Sequence, residues 1–266
     1  MKRLAGLAAW VAAGAAMLPM VWLVLTSVTT PEQLVLGRVG TELTADNYAR
    51  VLLQTEFPVY IINSLAIALV STLLTLGLGL AAAFALTRFR LVAKGPLFAL
   101  LLGLPLFPQV SILIYLYLLA SRSGLLNTYT GLVLPYTALA LPLAIWYLVA
   151  ALDEIPRELD YAAWLDGCSS WRYFLTVVLP LARPALASVG LLVFLVNWNE
   201  FIIALVLTSD SASRTAPVGL AMFQGAHFIP WGDIAAATML VLAPAALVVL
   251  FGQRLLIAGL GRGAVK

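Results

Sequence analysis

Long apolar stretches limit the possible folds of this chain more than any other feature. Hydrophobic residues make up 63% of its 266 residues and charged residues only 10%, whereas an ordinary soluble domain carries about 25% charged residues. A helix of about 20 apolar residues spans the hydrocarbon core of a bilayer. Six stretches are long enough, at approximately 4–27, 60–86, 96–120, 129–152, 181–207 and 234–257. We therefore predict an all-α membrane protein with six transmembrane helices.

The distribution of Lys and Arg predicts the orientation of these spans. With the N-terminus inside, eleven of the fifteen basic residues fall on cytoplasmic segments and four on external ones. Such an excess on the cytoplasmic side is typical of membrane proteins, so both termini are expected in the cytoplasm. The first apolar stretch is longer than the core of a signal peptide and has no clear cleavage site after it. We therefore interpret it as a retained helix.

The chain is predicted to form a single transmembrane domain over residues 1–266, without a soluble domain. Its one long cytoplasmic loop covers residues 153–180. The single cysteine, Cys168, and the single histidine, His227, are expected on opposite sides of the membrane. They cannot form a His/Cys metal site within one chain, so no metal site is predicted. No phosphate-binding Gly-rich loop, nucleophile elbow or zinc motif is present either, and no catalytic residues are predicted.

The cytoplasmic loop contains the most informative segment of the chain. Pro156 favours the first turn of a helix, so a helix is expected from Arg157 to Asp166. Gly167 can take the left-handed conformation that ends it. Ala162 and Ala163 carry little side-chain bulk and would let a partner backbone approach closely. The structural alternative is an ordinary amphipathic loop that only joins two spans.

A second helix is expected directly after the first. Ser169 or Ser170 could cap it, and Pro180 would break or kink the chain at the entry to the fifth span. Apolar residues recur there with helical spacing and predict a stripe that faces the membrane bundle. The stripe consists of Trp171, Phe174, Leu175, Val178 and Leu179.

The segment Asp160-Tyr161-Ala162-Ala163-Trp164-Leu165-Asp166-Gly167, followed by Leu179-Pro180, resembles the loop that couples ABC-importer permeases to their ATPases. The family pattern runs Glu-Ala-Ala-x-x-x-Gly, with Leu-Pro further on. The resemblance assigns the contact with the ATPase to Asp160, Tyr161, Ala162, Ala163, Asp166 and Gly167. One position departs from the pattern, because the family's leading Glu falls on Tyr161. The neighbouring Asp160 is the candidate to replace it.

Further matches extend over nearly the whole chain and narrow the resemblance to maltose-type, MalG-like carbohydrate-importer permeases. They include Asn63-Ser64, the run from Ala83 to Arg90, Trp198-Asn199-Glu200-Phe201 and the run from Arg214 to Leu220. This implies a type I ABC-importer architecture in the cytoplasmic (inner) membrane of a prokaryote. It also implies a second homologous permease, a cytosolic ATPase dimer that binds ATP and Mg²⁺, and an extracellular sugar-binding protein as partners. This chain itself would bind no cofactor, and no nucleic-acid partner is expected.

Polar residues inside the fifth span are the candidates for contact with the transported solute. Asn199 and Glu200 lie at membrane depth, where an ionisable group should face protein or a water-filled path. Trp198 beside them could stack on the face of a sugar. The alternative is that these side chains connect helices by hydrogen bonds. In the family that the chain resembles, the sugar site may belong mainly to the partner permease, so both readings stay open.

The resemblance also predicts a contact on the opposite side of the membrane. The loop of residues 208–232 is expected outside, and its tip would meet the sugar-binding protein through Gln224, Gly225, Ala226 and His227. A passive connector is the alternative. An importer for a non-sugar solute is the main rival to a sugar importer. An ion-coupled secondary transporter is a weaker rival, since only Glu200 clearly qualifies as a buried acid for ion coupling.

Overall fold

The computed structural model describes residues 2–89, 92, 94–104, 108–223 and 229–260. These residues are almost entirely helical, and an isolated antiparallel bridge joins Thr29 to Leu43. The tertiary contacts divide the chain into two compact units. The first unit consists of Met1–Ile62 and Thr215–Pro244, and the second of Asn63–Arg214 and Ala245–Lys266.

Thirteen α-helices follow one another in the part of the chain that the structure describes. Their bounds are α1 Lys2–Ser27, α2 Pro31–Val35, α3 Asp46–Leu53, α4 Phe57–Arg88, α5 Lys94–Gly103, α6 Gln109–Arg122, α7 Tyr129–Asp153, α8 Glu158–Leu165, α9 Ser170–Tyr173, α10 Leu179–Trp198, α11 Ile202–Leu207, α12 Ala216–Ala221 and α13 Trp231–Leu260. A π-helical segment, Phe174–Val178, joins α9 to α10. The predicted all-α membrane fold is confirmed.

Five of the described helical segments are long and apolar enough to cross a membrane. They are Trp10–Ser27, Phe57–Arg88, Tyr129–Asp153, Ser170–Trp198 and Trp231–Gly252. The predicted span 96–120 is divided between α5 and the shorter apolar helix α6, on either side of residues 105–107. Pro108 stands directly before α6 as its N-cap, with an extended ψ of 116°. A proline favours this kind of boundary because it cannot donate a backbone hydrogen bond.

The predicted span 181–207 contains a break that the hydropathy pattern does not show. Helix α10 ends at Trp198, and α11 begins only at Ile202. The side-chain amide of Asn199 donates to the carbonyl of Leu195 at 2.8 Å. The carboxylate of Glu200 accepts from the backbone N–H groups of Ile203 at 2.8 Å and Ala204 at 3.1 Å. These bonds satisfy backbone groups that a helix start otherwise leaves without partners.

The core of the second unit lies where α4, α7 and α10 pack together. Small residues at the contacts let the helices approach closely, as is usual between membrane helices. A Cβ on Gly79 of α4 would lie 3.3 Å from the Cβ of Ala144 on α7. Around this contact the core contains buried residues such as Leu80, Ala83 and Leu148.

The first unit has a smaller core around the start of α4 and the start of α13. Its fully buried members include Phe57 and Ala236. Asn47 at the start of α3 is also buried, and its amide donates to the carbonyls of Ser27 and Thr29 at 2.9 Å each. Arg50 one turn later pairs with Asp233 at 2.8 Å, and hydrogen bonding to that carboxylate raises the pKa of the Arg50 guanidinium.

Candidate functional site

Helix α8 forms where the sequence predicts a helix, and Gly167 ends it as expected. Arg157 is the N-cap, and acidic side chains in the first turn interact favourably with the positive end of the helix dipole. Gly167 has a φ of 70°, in the left-handed region that glycine tolerates. The N–H of Gly167 donates to the carbonyl of Trp164 at 3.1 Å, and that of Cys168 to Ala163 at 2.9 Å. This pair of bonds is the Schellman motif, which fixes the C-terminus of the helix.

Asp160 is the only buried residue of α8, and it holds the helix against the end of α4. Its Oδ2 lies 3.1 Å from Nε of Arg88, with 2% of the Asp160 side chain and 4% of the Arg88 side chain exposed. The hydroxyl of Tyr173 on α9 donates to Oδ1 of the same carboxylate. One acidic side chain therefore connects α4, α8 and α9.

Two arginines add backbone contacts around this carboxylate. Arg88 Nη2 donates to the carbonyl of Ile155 at 3.1 Å. Arg157 Nη2 donates to the carbonyl of Thr87 at 2.6 Å, and its Nη1 lies 3.8 Å from Asp160. The long N···O distance and the half-exposed side chain make that second ion pair weak. Because the arginines join both ends of the α7–α8 connection to the end of α4, motion of α8 is tied to motion of α4.

The rest of α8 presents an apolar and aromatic surface that this chain leaves uncovered. Leu165 is 89% exposed, and Leu159, Tyr161 and Trp164 are also exposed. The rings of Tyr161 and Trp164 contact each other edge to face, with centroids 5.8 Å apart. Exposed apolar patches of this kind mark interaction sites. Ala162, Asp166 and Gly167 are exposed beside them, while Ala163 is half-buried against the core.

Asp160 and Tyr161 thus have different environments on α8. The carboxylate of Asp160 points into the chain toward Arg88, whereas the ring of Tyr161 is on the surface. Asp160 therefore supplies an internal ion pair and no exposed negative charge at the Tyr161 position. Arg88 and Tyr173 are the residues of this site that sequence reasoning missed. Arg88 was missed because a basic residue at the cytoplasmic end of a span is already explained by the orientation of the protein in the membrane. Tyr173 was missed because it lies outside the predicted stripe.

Of the predicted apolar stripe after Gly167, Phe174, Val178 and Leu179 pack against the core, whereas Trp171 and Leu175 are exposed. Ser169 caps α9 as expected, accepting from the N–H of Arg172 at 3.3 Å. However, Tyr173 is buried together with Val178. The π-helical segment explains the difference, because it places residues five positions apart on one face where an α-helix would use three or four.

The three residues considered for solute contact have different environments. Trp198 is 1% exposed, and its ring stacks on Phe194 with centroids 5.8 Å apart. Asn199 is exposed and Glu200 is half-buried, at the break between α10 and α11. The adjacent Asn197 donates to the hydroxyl of Ser71 at 2.9 Å, an internal contact between helices. The structure therefore brings Asn199 and Glu200 to an irregular, partly accessible point of the fifth span.

The remaining predicted site falls outside the residues that the structure describes. Gln224, Gly225, Ala226 and His227 belong to the segment 224–228, for which no placement is given. Within the described ranges, no group of three or more His, Cys, Asp or Glu side chains is close enough together to hold a metal ion.

A family model described as "binding-protein-dependent transport system inner membrane component" matches residues 74–262. The chain belongs to this family. The match includes all of α7 to α12 and therefore the whole of the α8 region. The predicted resemblance to ABC-importer permeases is confirmed.

Individual relatives match over almost the full length of this permease. The trehalose/maltose transport system permease protein MalG of Thermococcus litoralis is 38% identical over 252 residues, covering 93% of this chain and 91% of the relative. The trehalose transport system permease protein SugB of Mycobacterium tuberculosis is 37% identical, covering 95% and 93%. The lactose transport system permease protein LacG of Rhizobium radiobacter is 31% identical, covering 93% and 90%.

Solved structures confirm the fold. A chain of a bacterial ABC transporter involved in the import of the acidic polysaccharide alginate superimposes with a TM-score of 0.79 at 21% identity, covering 95% of this permease and 96% of that chain. The family and the relatives together identify the protein as a non-catalytic permease subunit of an ABC importer, located in the inner membrane of a prokaryote.

Proposed function

We propose that this permease forms part of the path by which an ATP-driven importer moves a sugar across the cytoplasmic membrane. The observation that carries the proposal is α8: one buried carboxylate fixes it internally, and its outer surface is apolar and uncovered. The relatives named for trehalose, maltose and lactose transport support a sugar as the cargo. The excess of basic residues on the predicted cytoplasmic segments supports six spans with both termini inside.

In this proposal α8 transmits the movement of the ATPase subunits to the membrane helices. Leu159, Tyr161, Trp164 and Leu165 would be buried in a surface cleft of an ATPase subunit, with Asp166 and Gly167 at the rim. Closure of an ATPase dimer around ATP and Mg²⁺ would then displace α8. Because the contacts of Asp160 join α8 to α4 and α9, the displacement would reach two membrane-spanning segments directly. The spans would rock between inward-facing and outward-facing states.

A second permease is the proposed partner of the membrane helices, and their exposed apolar residues support such a contact. Trp10, Met17 and Trp22 on α1 are exposed within this chain, as are Leu250 and Phe251 on α13. Lipid covers such residues in part, and a helix partner covers the rest. The solute path would lie between the two permeases, with Trp198, Asn199 and Glu200 of this chain near it. On the external side, a sugar-binding protein would contact Gln224, Gly225, Ala226 and His227.

Co-purification from the native membrane tests the assembly and the cargo together. The complex is isolated through a tag on this chain, and ATP hydrolysis is measured with candidate binding proteins, each with and without its sugar. We expect a second permease and an ATPase to be recovered, and one sugar-loaded binding protein to stimulate hydrolysis. A chain that purifies alone and moves solute without ATP contradicts the proposal.

A paired substitution tests the docking surface within the same complex. Leu165→Asp places a charge at the most exposed apolar position of α8 and should release the ATPase subunit during purification. Leu53→Asp is the matched control, because Leu53 at the end of α3 is similarly exposed and belongs to the first compact unit, whereas α8 belongs to the second. Equal loss of the ATPase in both variants, or in neither, counts against docking through α8.

A further inference from the structure

A cavity of about 770 Å³ lies beside α8, and it shares Tyr161 and Trp164 with the docking surface proposed above. It is enclosed by the end of α4, the start of α5, α8 and α9. Its lining combines basic and aromatic side chains. These include Arg88, Lys94, Arg157, Phe89, Trp164 and Tyr173.

Arg88 has one nitrogen that the described residues leave unsatisfied. Its Nε pairs with Asp160 and its Nη2 donates to the carbonyl of Ile155. Its Nη1 is buried and has no hydrogen-bond partner among the described residues. A buried donor on a charged group is expensive to leave without a partner. Arg88 lines the cavity through other atoms of its side chain, so an acceptor in the cavity reaches Nη1 only if the guanidinium turns towards it.

The charges around the cavity favour an anion as that acceptor. The described lining contains three cations, Arg88, Lys94 and Arg157, and one carboxylate, Asp160. Asp160 neutralises Arg88, so two positive charges remain. Lys94 is exposed at the first position of α5 and makes no ion pair with a described residue. Arg157 makes only the weak contact of 3.8 Å with Asp160.

We propose that this cavity binds a phosphate group. Guanidinium donors match the geometry of phosphate oxygens, and a lysine adds a mobile point charge. In the proposed topology the cavity lies at the cytoplasmic surface of the membrane, where anionic phospholipids concentrate phosphate. The aromatic side chains of the lining suit the same interface. The phosphate would join α5 to α8 through Lys94 and Arg157, so this site rests on the orientation given in the proposed function.

Native mass spectrometry of the complete purified transporter tests the site. The complex is stripped of lipid and then titrated with phosphatidylglycerol, with phosphatidylcholine or with inorganic phosphate. Lys94→Gln removes one cation without touching the contacts of Asp160 and should weaken binding about fivefold, because one basic residue near a membrane surface contributes about 1 kcal/mol. Arg183→Gln on α10 is the matched control, an exposed arginine that does not line the cavity.

Preferential binding of phosphatidylglycerol that is weakened about fivefold in Lys94→Gln and unchanged in Arg183→Gln supports a lipid phosphate. The same pattern with inorganic phosphate alone supports a soluble phosphate. The proposal is overturned if phosphatidylglycerol and phosphatidylcholine bind equally and inorganic phosphate does not bind. It is also overturned if Lys94→Gln and Arg183→Gln weaken binding equally. Absence of binding in the assembled transporter also overturns it. None of these readouts requires transport, so they are independent of the test of sugar import.

Discussion

Replacement of Asp160 by Ala tests the attachment of α8 most directly. The carboxylate lies 3.1 Å from Nε of Arg88 and is almost completely buried. Removing one member of a buried ion pair leaves the other charge without compensation and costs about 3–5 kcal/mol. The hydrogen bond from Tyr173 is lost as well. The substitution therefore acts on the contacts that hold α8 and leaves its exposed surface unchanged.

The expected consequence is local unfolding of α8. The helix has eight residues, and isolated helices shorter than about 12 residues are marginal in water. Once α8 separates from Arg88 it should therefore lose its helical hydrogen bonds. A loss of about 3 kcal/mol raises the population of the separated state on the order of a hundredfold. Stimulation of ATP hydrolysis by the binding protein should fall with it, while membrane insertion is retained.

Hydrogen exchange in the purified transporter measures this change. Amides of residues 161–168 should exchange on the order of a hundredfold faster in Asp160→Ala, by the same estimate. Asp153→Ala removes an exposed carboxylate near the end of α7 and serves as the control. The double variant Arg88→Met, Asp160→Leu removes both charges and should recover part of the protection, because apolar residues can replace a buried pair. Wild-type exchange rates in Asp160→Ala would refute the anchoring role.

Substitutions at four further positions test other parts of the structure. In Gly167→Pro, proline at position 167 cannot adopt the observed φ of 70°, and Ala163→Trp forces a large ring into the half-buried side of α8. Both variants should abolish sugar uptake while membrane insertion, measured by fractionation, stays intact. Retained uptake in either variant contradicts the coupling role. Glu200→Ala removes both acceptors from the start of α11 and should destabilise the permease by about 1 kcal/mol. Glu200→Gln keeps one acceptor, so it should lower the midpoint of thermal unfolding less than Glu200→Ala does. Equal midpoints in the two variants contradict the capping role. Gly219→Ala would place a Cβ 2.2 Å from Cδ2 of Tyr60 and should lower the free energy of unfolding by about 1–3 kcal/mol. Tyr60→Ala should then destabilise the Gly219→Ala variant less than it destabilises the wild type. If the effects of the two substitutions on the free energy of unfolding simply add, the close contact is contradicted.

The sequence predicts the long helices because hydropathy summed over about 20 residues is a strong signal. It also predicts the end of α8, since a glycine after a helical run has a specific conformational role at Gly167. Both inferences depend on local properties of the chain. They hold here because no distant contact competes with them.

Features that depend on which partner a polar side chain chooses, or on irregular helical geometry, could not be predicted. The break after Trp198 needs the carboxylate of Glu200 to turn toward its own backbone, and an acid in an apolar run is equally consistent with a solute site. The pairing of Arg88 with Asp160 joins residues far apart in sequence, and composition does not distinguish it from two unrelated surface charges. The π-helical segment lets Tyr173 and Val178, which are five residues apart, share the buried side, and the α-helical spacing assumed for the stripe does not anticipate this.

The two sides of α8 resolve the departure from the family pattern at Tyr161. An acid at this exposed position would offer a charge to a partner, whereas the ring of Tyr161 offers apolar area next to Trp164. The acid of this helix is Asp160, and it is engaged inside the chain with Arg88. Attachment of α8 to the membrane helices is therefore electrostatic and buried, while its outer contact depends on apolar burial, which salt screens little. A substitution on one side can thus be separated experimentally from a substitution on the other.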